Sequence, residues 1–281
     1  MAAPPPDTRS FPGRVTDVRD TGDDGIVLRI ALESPLPDLR AGRFFMVRRQ
    51  DDLSPAIPRP FSVYKQLPSG ELEFLIKVMG RGTQALAACL PGTEVLAVGP
   101  LGNGWPTLDG DGAPWVMVGG GIGSVPFYMG IAQALGGMDG ATPAKPSDIT
   151  FIYGGRTRGF LYDLEHFEAL GVNVIGATDD GTSGFHGNVV QALEAEWASG
   201  RLPEKVRLLT CGPDPMMEAV VHVAKSRGLE CHVSLETMMG CGVGICNGCA
   251  VPTEPDGPLG AWPMAKCCVD GPVFPATSIR M

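Results

Sequence analysis

Three cysteines fall in one glycine-rich run, Cys241-Gly-Val-Gly-Ile-Cys246-Asn-Gly-Cys249, and Cys268 follows after 18 intervening residues. Thiolates spaced C-x4-C-x2-C…C suit a [2Fe–2S] cluster. The loop must wrap an anionic core and aim backbone N–H groups at its sulfides. Gly242, Gly244 and Gly248 allow that approach because they lack a Cβ. Structural zinc is the competing use of such thiols, but it favours paired C-x2-C knuckles and only one is present here. Buried unreactive thiols are a further alternative. The chain has eight cysteines (89, 211, 231, 241, 246, 249, 267 and 268), and five of them lie within the 28 residues from Cys241 to Cys268. Cys267 and Cys268 are adjacent. On an extended strand neighbours face opposite ways, so one of the two is the expected fourth ligand and spacing does not choose between them.

Two further segments carry binding chemistry. Arg59-Pro60-Phe61-Ser62 combines a cationic fork suited to a pyrophosphate with a hydroxyl suited to a flavin edge. Downstream, Leu75-Ile76-Lys77-Val78 precedes Gly80-Arg81-Gly82-Thr83, which opens a short expected helix, and helix N-termini favour phosphate. Phe61 and Tyr64 equally suit the inside of a barrel. Gly119-Gly-Gly121-Ile-Gly123-Ser-Val-Pro126 follows an apolar strand and opens a helix. That context is a phosphate cradle, although Ser124 stands where a strict G-x-G-x-x-G has its last glycine. Other strand ends carry Gly154-Gly155-Arg156-Thr157-Arg158, Thr178-Asp179-Asp180-Gly181 and Cys211-Gly212-Pro213. Ligands bind at the carboxyl ends of strands in open α/β sheets. Gly119, Gly121, Gly123, Asp180, Cys211 and Gly212 are therefore candidates for a pyridine-nucleotide site. Arg156 and Arg158 suit either a phosphate or a solvated loop, and Cys211 either a nicotinamide ring or the core. No G-x-S-x-G, H-E-x-x-H or P-loop occurs, so hydrolysis and phosphoryl transfer have no support.

The elements that must position these residues follow from hydrophobic period. Residues 14–100 read as six short strands (14–20, 26–33, 44–49, 61–65, 72–79 and 94–98) with turn residues between them. That spacing indicates an antiparallel barrel. A helix is expected over 82–89. A Gly/Asp/Pro-rich stretch at 101–113 reads as a junction. Strands at 115–118, 149–153, 172–177 and 206–210 then alternate with helices at 124–135, 161–170, 187–198 and 215–226. The alternation implies right-handed βαβ crossovers and a Rossmann-like parallel sheet. From 235 the pattern dissolves into the cysteine-bearing tail. The expected division is thus 10–106, 112–234 and 235–281.

Composition agrees with this reading and excludes others. A chain of 281 residues with 44% apolar and 19% charged residues is globular. A net charge of −9 argues against a nucleic-acid partner, which needs a basic face. No apolar run is long enough to span a bilayer. No leader pattern is seen, so a cytoplasmic location, where thiols stay reduced, is expected.

The order of R-P-x-S, G-G-G-I-G-x-x-P, C-G-P and C-x4-C-x2-C…C resembles the ferredoxin–NADP reductase superfamily with an appended [2Fe–2S] domain. Within it, the chain is most similar to electron-transfer subunits of class 1B dihydroorotate dehydrogenases. Arg59–Ser62, Gly99-Pro-Leu-Gly-Asn-Gly104, Ala177–Gly181, Leu235–Cys249 and Lys266-Cys-Cys-Val-Asp-Gly-Pro-Val-Phe274 carry that likeness. It implies a six-stranded FAD-binding barrel, an NAD-binding α/β domain and a small cluster domain. It implies FAD contacts at Arg59, Pro60, Phe61, Ser62, Leu75, Ile76, Lys77, Gly82 and Thr83. Its K-x-C-x-D-G-P motif places the fourth cluster ligand at Cys268. It also implies a partner, an FMN-bearing catalytic subunit that oxidises dihydroorotate in de novo pyrimidine (UMP) synthesis, assembled as two of each chain. Nicotinamide exchanges hydride, a cluster exchanges single electrons and a flavin does both, so the flavin stands between them. NAD is favoured over NADP by the resemblance. The same motifs also occur in NADPH–ferredoxin transhydrogenase and sulfhydrogenase subunits, which stand as the alternative.

Overall fold

The computed structural model describes residues 7–51, 55–260 and 262–281. The first half is built from β1 (Arg9–Asp20), β2 (Gly25–Leu32), β3 (Phe44–Arg49), β4 (Arg59–Ser62), β5 (Lys65–Gln66), β6 (Leu72–Lys77), α1 (Arg81–Ala87) and β7 (Glu94–Leu101). The strands form an antiparallel half-barrel in the order β4-β3-β7-β1-β2-β6-β5. In β1, Phe11, Gly13 and Val15 are buried while the residues between them are exposed, the period of a strand with one wet face. The strand expected over 61–65 is divided: at Val63 and Tyr64 the chain passes from the β3 side, where Val63 N–H bonds Arg43 O, to β6, where Tyr64 N–H bonds Glu73 O, so the sheet has seven strands among the described residues where the pattern indicates six. β1 begins five residues earlier than expected, because Arg9–Gly13 pair with β7.

The second half alternates strand and helix as expected: β8 (Trp115–Gly120), α2 (Val125–Gly136), β9 (Ile149–Gly155), α3 (Leu164–Glu168), β10 (Asn173–Thr178), β11 (Phe185–His186), α4 (Val189–Ala198), β12 (Arg207–Cys211), α5 (Asp214–Arg227) and β13 (Glu230–Ser234). The tail adds β14 (Ala250–Pro252), β15 (Met264–Lys266), α6 (Cys267–Asp270) and β16 (Val273–Pro275). The sheet order is β11-β10-β9-β8-β12-β13-β16, parallel until β16 pairs antiparallel to β13. β11, β13 and β16 add to the four strands legible in the sequence. The helix expected over 161–170 is only five residues long, because Asp163 takes a left-handed backbone (φ 56°) just before it. α4 starts at Val189 because the Asn188 side chain accepts from the N–H groups of Val190 and Gln191, while Gln191 accepts from Asn188 N–H.

Alternation along the parallel strands decides what each face holds. Trp115, Met117, Phe151 and Leu209 share a core with α2, α3 and the half-barrel interior. Val116, Val118, Ile152 and Leu208 share a second core with α4, α5 and the tail, including Cys249, Val251, Cys267, Cys268 and Phe274. The tail therefore has no core of its own: it is fastened to the parallel sheet. Asn103, in the turn after β7, also ties it down. Its side-chain nitrogen donates to Val273 O (2.8 Å), its side-chain oxygen accepts from Val273 N (3.2 Å), and its N–H donates to Gly271 O (2.8 Å). This explains why the Gly-Pro-Leu-Gly-Asn-Gly run and the Asp-Gly-Pro-Val-Phe run occur together. Trp105 completes the junction by stacking on Phe127 of α2, with ring centres 5.2 Å apart, and donating to Pro126 O.

Candidate functional site

Between the two halves lies a cleft of about 1180 Å³, including its open mouth. One wall is made by Arg59, Pro60, Phe61 and Ser62 of β4, Leu75, Ile76 and Lys77 of β6, and Gly82 and Thr83 of α1. All nine residues implied as flavin contacts thus share one surface, drawn from three elements separated in sequence. The facing wall comes from Ile122, Val125 and Pro126 after β8, from Cys211 at the end of β12, and from Ser234–Thr237 and Met239 after β13.

The chemistry of the first wall fits a dinucleotide. The Thr83 hydroxyl accepts from Met79 N–H (3.0 Å) and Gly80 N–H (3.1 Å), which shapes the turn into α1. The first intrahelical bond runs from Gln84 N–H to Gly80 O, so Arg81, Gly82 and Thr83 direct N–H groups beyond the helix end. Arg59 crosses over this end: a Cβ on Gly82 would lie 3.3 Å from Arg59 Cγ and 3.4 Å from its Nε. A guanidinium above unpaired N–H groups is an anion-binding arrangement. Arg59 is steadied by donating to Ile57 O at 2.8 Å.

The nucleotide candidates separate. A Cβ on Gly121 (φ 53°) would meet nothing within 4 Å. Gly123 is closed in, since a Cβ there would lie 2.4 Å from Cys211 O, so its smallness brings the β8 and β12 ends together beside Gly212. Gly119 packs toward Phe151 and Phe127. Asp180 stands on the exposed loop after β10, where its carboxylate accepts from Thr182 N–H and hydroxyl. Those bonds hold it below the usual carboxylate range. Neither Gly119, Gly121, Gly123, Asp180 nor Gly212 lines the main cleft. Cys211 does, and burial pushes its thiol far up, which keeps it neutral.

In the cysteine loop, Cys246 N–H points at Cys241 Sγ (3.4 Å), Gly248 N–H at Cys246 Sγ (3.5 Å) and Cys268 N–H at Cys249 Sγ (3.5 Å). Burial opposes ionisation of Cys241, but the N–H groups of Cys246, Val243 and Ile245 outweigh it and bring the thiol to about 7. Thiolate stabilisation by backbone N–H groups is what a cluster's ligands need. Gly242 and Gly244 have φ of 72° and 82°. A Cβ on Gly244 would strike Val269 at 2.7 Å, so the loop closes only with glycine there. Among the described residues, no three Cys, His, Asp or Glu side chains converge on one point as a single ion requires.

Cys267 and Cys268 begin α6 rather than continue a strand, so their side chains diverge by about 100° instead of pointing oppositely. The Cys268 thiol, raised to about 12 by burial and then by Cys249, faces Cys249 and receives Gly244 N–H. Cys267 turns the other way, with Sγ 3.6 Å from Leu235 O and Thr237 beside it.

Comparison with known proteins places this arrangement. Residues 12–105 match the oxidoreductase FAD-binding domain family, and residues 236–280 match the iron-sulfur cluster binding domain of dihydroorotate dehydrogenase B. The electron transfer subunit of dihydroorotate dehydrogenase B (NAD(+)) from Desulforamulus reducens is 31% identical over 88% of this chain and 91% of its own. That from Shouchella clausii is 33% identical over 96% and 99%. The chain belongs to the dihydroorotate dehydrogenase B electron transfer subunit family. The fold is also that of an NADH-dependent reduced ferredoxin–NADP oxidoreductase structure, with a TM-score of 0.79, 24% identity, and 95% of this chain and 89% of that one covered. The cytochrome b5 reductase domain of Ulva prolifera nitrate reductase shares it too, at a TM-score of 0.62 and 19% identity, over 78% of this chain and 94% of that one. No helix among the described residues is long and apolar enough to cross a membrane.

Sequence reasoning gave no role to Phe44, Arg81, Ser234, Glu236, Thr237 or Met239, yet all line the cleft. Leu235-Glu236 is part of the family likeness, and that was the available signal. Glu236 is exposed within the cleft, where crowding by the walls first and Asp214 second hold its carboxyl above the usual range.

Proposed function

We propose that this chain carries electrons from a dihydroorotate-oxidising catalytic subunit to NAD⁺ in pyrimidine synthesis. The reading rests on one observation above others. The cleft that gathers the flavin-type residues is lined on its facing wall by Thr237 and Met239, which stand two to four residues before Cys241 in the chain, and by Cys211 of the nucleotide half. FAD, a [2Fe–2S] cluster and NAD are the cofactor set. Bound in the cleft, a flavin would supply the exchange between single electrons and hydride pairs that neither a cluster nor a nicotinamide offers.

The chain's residues bind and position. Arg59 and the N–H groups at the start of α1 hold a pyrophosphate. Pro60, Phe61, Ser62 and Leu75–Lys77 seat the flavin ring, and Cys211 packs where a nicotinamide reaches it. Cys241, Cys246, Cys249 and Cys268 hold the cluster. Gly119, Gly121, Gly123, Gly212 and Asp180 shape the nucleotide end of the parallel sheet. The chain divides functionally at 10–106, 112–234 and 235–281, with β16 built into the nucleotide sheet. The partner carries FMN, two copies of each chain assemble, and the complex works in the cytoplasm, in keeping with eight unpaired cysteines.

The test is anaerobic co-purification with the partner followed by assay. Dihydroorotate-dependent NAD⁺ reduction is expected, together with the visible spectrum of flavin plus [2Fe–2S]. A colourless protein that takes up neither flavin nor iron refutes the reading. The likeness to the ferredoxin–NADP oxidoreductase structure motivates one rival, a transhydrogenase subunit. NAD⁺ reduction driven by reduced ferredoxin, and not by dihydroorotate, would establish it instead.

A further inference from the structure

The segment running from the β9 loop into α3 lies against the half-barrel. Asp163, with its side chain only 5% exposed, is held from both halves of the molecule. Arg19 of β1 donates to both of its oxygens at 2.7 Å, and the Tyr64 hydroxyl donates at 3.0 Å. His166 Nδ1, from its own half, lies 3.3 Å away. One residue earlier, the Tyr162 hydroxyl donates to Asp24, which also pairs with Lys77 Nζ at 3.4 Å. The packing leaves no slack. A Cβ on Gly25 would lie 2.6 Å from the Tyr162 ring, and one on Gly159 would lie 1.7 Å from Asp23 Oδ2.

The half-barrel end of this joint reaches the site. Tyr64 follows Ser62 by two residues, and Lys77 itself lines the cleft. On the other side, the segment leaves the carboxyl end of β9 at Arg156–Arg158. We propose that Asp163 is a positioning residue for hydride exchange: it fixes the angle at which the half-barrel presents a flavin to the nucleotide half. This rests on the flavin-to-nicotinamide reading above. Hydride exchange needs reacting atoms roughly 3–3.5 Å apart, and a misplacement of about 1 Å costs on the order of 100-fold. A nearly buried carboxylate whose strongest donors come from the opposite half locks the angle, because turning the halves strips it of partners.

The test uses the full chain with FAD and cluster loaded. Asp163→Asn keeps the volume and tolerates the left-handed backbone, but it removes the charge that Arg19 requires. The expected result is flavin reduction by saturating NADH slowed about 10-fold or more, with FAD and iron per chain unchanged. The long-wavelength absorbance of nicotinamide stacked on flavin should weaken in parallel. Glu94→Ala, which breaks the exposed Arg14–Glu94 pair of the same half-barrel, should change nothing. Should Asp163→Asn fail to fold, Tyr64→Phe decides through the same readouts, since it deletes only the donated hydroxyl. Wild-type rate and absorbance in the folded variant overturn the proposal. Loss of FAD along with the rate assigns Asp163 to stability alone and overturns it equally. Wild-type protein that NADH fails to reduce overturns the functional reading itself.

Discussion

Replacing Cys268 and Cys267 one at a time tests the proposal that Cys268 is a cluster ligand and Cys267 a packing thiol. Cys268→Ser removes the sulfur that faces Cys249 and receives Gly244 N–H. The expected result is loss of the cluster's visible absorption and of its two irons, with FAD retained, because Arg59–Ser62, Leu75–Lys77 and α1 do not touch it. Cys267→Ala removes a sulfur that is 0% exposed and packs among Leu235 and Thr237. Truncating a small buried apolar group of this kind costs about 1.5 kcal/mol. At roughly 2–4 °C per kcal/mol for a chain of this size, the melting temperature should fall by about 3–6 °C with iron content intact. Iron analysis, the visible spectrum and a melting curve on each anaerobically purified variant measure all of this. A Cys267→Ala protein without iron beside a Cys268→Ser protein with it would refute the assignment.

Three other perturbations follow from the same geometry. Arg59→Ala removes charge-assisted bonds worth about 1.5–3 kcal/mol, so FAD affinity should drop roughly 10- to 100-fold by titration of released flavin. Arg59→Lys should recover only part, because a point charge lacks the planar fork; full FAD retention in the alanine variant contradicts the site. Gly123→Ala places a methyl 2.4 Å from Cys211 O and should destabilise by about 1–3 kcal/mol in urea unfolding, with an unchanged midpoint as the contrary outcome. Asp163 also carries a pH signature. Burial favours its neutral form, but Arg19, His166 and Tyr64 outweigh it and hold the carboxyl below its ordinary 3.8. A folded value below the unfolded one adds stability above about pH 4, which is lost as pH falls through the folded value. The stability gap between wild type and Asp163→Asn should therefore be full at pH 7 and close below about pH 4; a gap independent of pH would show that the charge does not matter.

Local chemistry was legible in the order of residues. The C-x4-C-x2-C run, the strand–glycine–helix turn at Gly119–Pro126 and the strand ends at Asp180 and Cys211 each depend on backbone geometry a few residues long. Period does the same for the two sheets, since alternation and βαβ spacing are local properties. What distance in sequence hides, only the folded chain decides. Residues 61–65 read as one strand, but at Val63 and Tyr64 the chain passes from β3 to β6, and the Tyr64 hydroxyl reaches Asp163, 99 residues away. The residues at 161–163 read as helix, but Tyr162 and Asp163 are taken by Asp24 and Arg19. The tail reads as a separate unit, yet its buried apolar side chains are mostly small, Met239, Phe274 and Ile279 being the large ones, too little surface to fold alone, and β16 finds its ladder on β13. Spacing left Cys267 and Cys268 equivalent, and the family motif pointed to Cys268; what only the fold adds is that α6 turns Cys268 toward Gly244 and Cys249 and Cys267 toward Leu235.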